Sequence, residues 1–167
     1  NSGHEAYLCG GAVRDSLIGL KPKDWDIATS AEPNVIESLF KSTDSVGKHF
    51  GVIIVHIDGF TIEVATYRCD IFLKGNSNNR HPDSVKFTSA REDSSRRDFT
   101  INGLFENPVT GEIIDYVGAQ YDIENRVIKT IGNPHARFRE DSLRLLRAVR
   151  FSSSLGFTFE RKTWESA

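Results

Sequence analysis

Apolar positions along the chain change period several times, and the changes mark out its elements. Glu5 to Cys9 is a short apolar run ending in Gly10-Gly11, and Ala12 to Ile18 then carries Val13, Leu17 and Ile18 at helical spacing. This predicts strand, glycine turn, helix. Gly19 closes the helix, Lys21-Pro22-Lys23 reads as a loop, and Trp25 to Thr29 alternates as a strand does. The next helix starts after Ser30 or Glu32, has Pro33 in its first turn, and offers Val35, Ile36, Leu39 and Phe40 as its buried stripe. Val52 to Ile57 and Thr61 to Tyr67, separated by Asp58-Gly59-Phe60, predict a β-hairpin, because Gly supplies the positive φ of a tight turn.

Residues 74–83 are polar, rich in Gly, Asn and Ser, and read as a mobile loop. A second hairpin is predicted from Phe99 to Phe105 and Glu112 to Val117 around Asn107 to Gly111. Pro134 to Leu155 reads as one long helix with Leu143, Leu145, Leu146 and Val149 inward, closed by Gly156. The expected fold class is α/β (α+β): a mixed, mostly antiparallel sheet flanked by helices, followed by a helical element that opens a second module.

Composition narrows the function classes. The 167 residues are 38% hydrophobic and 26% charged, with no apolar run long enough to span a bilayer, so neither a membrane partner nor a disordered chain is expected. Two cysteines, Cys9 and Cys69, without CxxC spacing point to a reducing compartment, which we read as the cytoplasm. The chain starts at Asn1 without Met and stops inside what reads as a helix, so a piece of a longer protein is expected. The net charge of −2 hides an asymmetry: residues 1–125 hold 12 Lys+Arg against 19 Asp+Glu, and residues 126–167 hold 9 against 4. An acidic module able to hold cations precedes a basic one able to meet phosphates.

Four constellations carry candidate chemistry. Asp24 and Asp26 stand two apart at the start of a strand, on one face, where two carboxylates can share Mg²⁺ with substrate phosphates. Asp-x-Asp by itself also describes two exposed loop acids. Gly10-Gly11 before a helix lets the backbone approach a phosphate, and Arg14 on the first turn adds a fixed positive fork. A tight turn alone would ask for the same glycines. Arg96 and Arg97 enter the segment from Asp98 to Asn102, where an adjacent Asp or Asn can orient a guanidinium for triphosphate oxygens, or simply pair with it. Asp141, Arg144, Arg147 and Arg150 recur every three residues and form a winding polar ridge, and with Arg139 the segment carries four arginines and few acids to pair them.

Taken together these segments resemble the class II tRNA nucleotidyltransferase and bacterial poly(A) polymerase family. The resemblance rests on Tyr7 to Asp15, Lys23 to Thr29, Ile62 to Arg68, Arg96 to Asn102 and Arg137 to Phe151, which occur in the family's order. It implies a polymerase-β-like nucleotidyltransferase head over residues 1–125 and the start of a helical neck over 126–167. It also implies that Asp24 and Asp26 hold two Mg²⁺ ions, one activating the tRNA 3′-hydroxyl and one binding the incoming triphosphate, with Glu63 a further acid nearby. By the same resemblance Gly11, Arg14 and Arg97 contact the nucleotide, Asp141 and Arg144 read its base, and Arg147 and Arg150 continue the pocket.

The implied reaction is addition of C, C and A to a tRNA 3′ end from CTP and ATP. The stretch Val46 to Val52 and the loop from Asp70 to Asp83 look more like CCA-adding enzymes than poly(A) polymerases. Addition of A alone or of poly(A) is the alternative within the family, and an inactive RNA- or nucleotide-binding module the alternative outside it. Two departures from the family pattern, Cys9 for an aliphatic residue and Gly103 for Ala or Ser, are expected to lie away from the chemistry.

Overall fold

The computed structural model describes residues 2–72 and 82–167. The chain opens with β1 (Ala6–Cys9), turns at Gly10 and enters α1 (Gly11–Leu17). There follow β2 (Asp26–Thr29), α2 (Pro33–Leu39), β3 (Thr43–Asp44), β4 (Val52–Ile57), β5 (Phe60–Thr66), β6 (Arg68–Ile71) and β7 (Ser84–Phe87). α3 (Ala90–Arg96), β8 (Leu104–Glu106), β9 (Ile113–Asp115), α4 (Ala119–Glu124) and β10 (Val127–Ile128) lead into α5 (Pro134–Glu140), α6 (Leu143–Leu155), β11 (Thr158–Phe159) and α7 (Arg161–Glu165). The loop read over residues 74–83 lies mostly outside the described residues. Among those residues no helix is long and apolar enough to cross a membrane.

Seven strands form one sheet in the order β3-β4-β5-β2-β1-β8-β9. β2 and β5 run parallel and its other neighbours antiparallel, which is the mixed, mostly antiparallel sheet expected. The β4–β5 hairpin closes on Asp58 and Gly59, with φ of 50° and 80°, a left-handed pair whose twist matches that of the strands. Cross-strand partners share a face, so the register sorts the sheet into two sides. Leu8, Ile27, Val64 and Ile53 lie on one side, where Ile36 of α2 joins Ile53, Val55 and Val64 in a buried cluster. Val35 and Phe40 pack against it, but Leu39, assigned to the same stripe by the pattern, is exposed. The opposite side carries Cys9, Asp26, Glu63 and Ile54 in one row across four strands.

Two predicted elements are corrected. The segment Phe99 to Phe105 is not one strand: a bridge at Phe99, a 3₁₀ turn over Thr100–Asn102 and then β8 carry it. Phe99, Ile101, Leu104 and Phe105 are all fully buried, a spacing that no alternating strand provides. Ahead of it lies α3, absent from the sequence reading, started by a capping box between Ser89 and Glu92. The long helix from Pro134 is also two helices. Asn133 caps α5, Asp141 is extended at φ −149° and ψ 107°, and its Oδ1 accepts a bond from the Leu143 N–H to start α6 anew, 2.9 Å away.

The restart rotates the inward face. Leu145, Ala148 and Phe151 pack against Val13, Phe99, Ile101, Ile128 and Phe138, whereas Leu143, Leu146 and Val149 are exposed. Full burial of a side chain such as Phe99 contributes about 1.5–3 kcal/mol. This core draws residues from both sides of position 125 and holds α5 and α6 over the end of the sheet where Asp26 begins β2.

Candidate active site

Most of the residues singled out in the sequence line one cleft of about 560 Å³, among them Gly11, Arg14, Asp26, Arg97, Asp141, Arg144, Arg147 and Arg150. Asp24, in the turn before β2, lines an adjoining cavity of about 510 Å³ together with Gly11, Arg14, Asp26 and Arg150. It also faces a third cavity that it shares with Asp26 and Glu63.

The sheet places the acids. Asp26 is the first residue of β2, paired with Cys9 of β1 and Glu63 of β5. Partial burial pushes its carboxyl up, Arg97 opposes the shift, and Asp24 adds to it. Partial burial likewise raises Glu63, reinforced by Asp26 and opposed by Arg68. Crowded carboxylates disfavour one another's charge, which a cation relieves.

The glycine turn brings two guanidinium groups against these acids. Gly10 has φ 70°, and a Cβ there would stand 3.2 Å from Arg97 Nη1, so both backbone and side chain demand glycine. Arg14 is buried: Nη1 donates to Asn102 Oδ1 at 2.6 Å, Nε and Nη2 donate to Asp15 Oδ1, and the guanidinium lies 5.2 Å from the Phe151 ring centre. Arg97 donates to Asp93 Oδ2 at 3.0 Å and lies over Phe105. Burial works against its charge, but Cys9 and Asp93 outweigh it and keep it protonated.

Asp93 was missed in the sequence. It is almost wholly buried and grips Arg96 through Oδ1 and Arg97 through Oδ2. The signal was present, since the Ser89–Glu92 capping box places Asp93 three and four residues before the arginines on one helix. Cys9 is also closer to the site than expected: it lines a small cavity of about 170 Å³ with Asp26, Glu63, Arg96 and Arg97, and burial raises its thiol pKa. At Gly103 a Cβ would stand 2.6 Å from Val117 Cγ2, so the usual alanine does not fit this packing.

The opposite wall is helical. Asp141 stands at the break between α5 and α6. Arg144 Nη1 donates to Glu140 Oε2 and to Arg137 O, both at 2.8 Å, and Arg147 pairs with Asp98 across the cleft at 2.6 Å. Arg144 and Arg147 thus have acid partners that the sequence did not suggest, whereas Arg150 is exposed and packs over Phe151. Arg137, from α5, ties the walls together by donating to the carbonyls of Arg96 and Arg97.

Carboxylates at the end of a sheet, a glycine turn and a facing bank of arginines form an arrangement chemically suited to phosphoryl transfer. The chain belongs to the family described as the Poly A polymerase head domain, which it matches over residues 6–129. It is 50% identical over 166 residues to the CCA-adding enzyme of Bacillus velezensis, covering 99% of this chain and 41% of that protein. Among solved structures it superimposes with a TM-score of 0.88, at 42% identity, on the Bacillus stearothermophilus CCA-adding enzyme in complex with CTP, covering 98% of this chain and 38% of that one. A tRNA nucleotidyltransferase complexed with a primer tRNA and an incoming ATP analog gives 0.76 at 30% identity, covering 98% and 46%. The chain therefore spans about two fifths of the curated relatives it matches.

Proposed function

We propose that this chain is the catalytic head, residues 1–125, and the start of the neck, from 126, of an enzyme that adds C, C and A to the 3′ end of tRNA from CTP and ATP. The observation that carries the reading is the single cleft into which the sheet, the glycine turn and α6 all deliver their charged residues. The cytoplasm is the proposed setting, in keeping with two free thiols.

In the reaction the tRNA 3′-oxygen attacks the α-phosphorus of CTP or ATP, the hydroxyl proton is lost, a new P–O bond forms, and the bond to the β-phosphate breaks to release pyrophosphate. Arg14 and Arg97, fixed by Asn102, Asp15 and Asp93, hold the triphosphate beside Gly11, while Arg147 and Arg150 add charge from α6. Asp24 and Asp26 would hold Mg²⁺, and the donor set fits: two carboxylates, hard oxygen donors, line one cavity beside Gly11 and Arg14, where substrate phosphates would complete the shell. When bound, such ions stabilise charge on the attacking and leaving oxygens.

Asp141 and Arg144 select the base. A carboxylate acceptor beside a guanidinium donor matches N4–H and N3 of cytosine and equally N6–H and N1 of adenine. Guanine and uracil present a carbonyl and a ring N–H in the opposite sense, leaving both protein groups mismatched. The direct test is to incubate the full-length protein with tRNA ending at the discriminator base and each nucleotide singly and together. Product length separates addition of CC, A, CCA and poly(A), and absence of CCA product from CTP plus ATP overturns the proposal.

A further inference from the structure

The arginine cleft occupies one side of Asp26. On the other side, Asp24, Trp25, Asp26, Ile54, Thr61 and Glu63 line a separate cavity of about 300 Å³, within the size range of small-ligand sites. Its floor follows from strand register: Asp26, Glu63 and Ile54 are successive cross-strand partners on one face of the sheet, and Thr61 lies two residues from Glu63 on that face. Among the described residues it has no lysine or arginine in its lining. Its largest apolar group is Trp25, 44% exposed beside both carboxylates.

The reaction geometry says what such a cavity receives. In-line displacement at the α-phosphorus brings the attacking oxygen in opposite to the departing pyrophosphate. With the triphosphate held among Gly11, Arg14 and Arg97, the attacking hydroxyl reaches Asp24 and Asp26 from the side away from those arginines. The base attached to that hydroxyl changes during the reaction, from the discriminator base to C and then to C again. A site for it has to accept any base, and stacking on an aromatic face does this because every base has a π-face. A site reading base edges would not.

Resting on the function proposed above, we propose that the cavity formed by Trp25, Ile54 and Thr61 seats the 3′-terminal nucleoside of the acceptor RNA, with its base stacked on Trp25. Trp25 is then a binding residue for the acceptor and takes no part in choosing the incoming nucleotide.

The test uses the full-length protein. Trp25→Ala should raise KM for a CCA-lacking tRNA by roughly tenfold to a hundredfold, the scale of one lost stacking contact, with KM for CTP changed less than twofold; Trp25→Phe should restore most of the loss. A fall in kcat with acceptor KM unchanged, or a rise in KM for CTP, assigns Trp25 a structural part in holding the carboxylates and overturns the proposal. A second measurement is independent of turnover and of any variant's folding. A tRNA whose terminal base is 5-iodocytidine, irradiated on the unaltered protein without nucleotide, should crosslink to Trp25, and a crosslink mapped outside this cavity overturns the assignment. Wild-type protein that extends no tRNA defeats the functional reading itself; wild-type extension with an unaltered acceptor KM in Trp25→Ala defeats only this inference.

Discussion

Asp26 and Arg147 face the same cleft, yet one is set in a hydrogen-bonded ladder and the other on a helix held by ion pairs. Asp26 has a strand on each side, and a slip of its register by one residue would turn every inward side chain of β2 outward. Arg14 and Arg97 belong to that wall and are as firmly placed, by Asn102 and by buried Asp93. On the helical wall, Arg144 is held by Glu140 and Arg147, with 44% of its side chain exposed, by Asp98. The Arg147 pair, open to solvent on the arginine side, contributes about 1 kcal/mol or less and can be traded for a ligand, whereas Arg144 is largely covered. On the proposed function the division makes sense: the wall that handles phosphate meets the same group every cycle, whereas the wall that reads the base meets first cytosine and then adenine.

The contrast is tested hardest at Asp26. Asp26→Ala should lower CTP incorporation into tRNA by about a thousandfold, the scale of losing one preorganised electrostatic contact at the reacting centre. The same residue is held against its own charge, because its carboxyl is raised by partial burial and by Asp24. An ionised acid whose folded pKa lies above its unfolded value subtracts stability at neutral pH. Asp26→Asn should therefore melt at a higher temperature than the parent while being inactive. Incorporation within tenfold of wild type in either variant would remove Asp26 from the site.

The helical wall should respond in selectivity rather than rate. Asp141→Ala removes one half of a two-point reader, and a lost bidentate contact changes base discrimination by about 1–3 kcal/mol, or roughly tenfold to a hundredfold. Competition between CTP and UTP measures it. An unchanged ratio would show that the break between α5 and α6 serves only to restart the helix through the Leu143 N–H.

The sheet wall was the more legible of the two in the sequence. Strand, glycine turn, helix and Asp-x-Asp are local signals, and Asp58-Gly59 announces its hairpin by backbone conformation alone. The helical wall depends on packing. Helical periodicity continues through Asp141, and its interruption comes from a side chain bonding to backbone, which competes with the helix at a position that apolar spacing does not register. Hence Leu145 was placed correctly and Leu146 was not. α3 was overlooked for a related reason: Ala90 to Arg96 carries almost no apolar stripe, and its buried members are Ala90, Asp93 and Ser94. A helix that buries an aspartate to steer two arginines is invisible to a search for leucines.

Asp98→Asn probes the bond between the walls. Asp98 Oδ1 accepts from the Phe99 N–H and from Asn102 Nδ2, and Oδ2 pairs with Arg147, so asparagine keeps one acceptor and loses the charge. The expected result is a rise of roughly fivefold in KM for CTP, corresponding to about 1 kcal/mol, with kcat little changed. Wild-type KM should also climb with added salt, and the variant's should climb less, because the screened pair is already gone. Equal salt dependence in the two proteins would mean that Arg147 is positioned by packing over Phe151 instead.

The smallest effect is expected behind the helical wall, at Glu160, whose Oε2 accepts from the Thr163 N–H at 2.8 Å and from its hydroxyl at 3.0 Å to start α7. Burial opposes the ionisation of Glu160, but the bonds from Thr163 and the Lys162 N–H prevail and hold its carboxyl below the ordinary range. A depressed folded pKa adds stability that is present above the unfolded pKa and fades as pH falls through the folded one. Glu160→Ala should therefore cost about 1 kcal/mol at neutral pH, the usual loss for a helix cap. The charge-dependent part of that deficit should shrink as the pH is taken below about 4. KM for CTP should stay at the wild-type value, because the side chain supports the mounting of α6 through β10 and β11 and touches neither wall. A deficit that stays the same down to acid pH would assign the loss to packing rather than to the carboxylate, and a changed KM would show that the helical wall moves with its support.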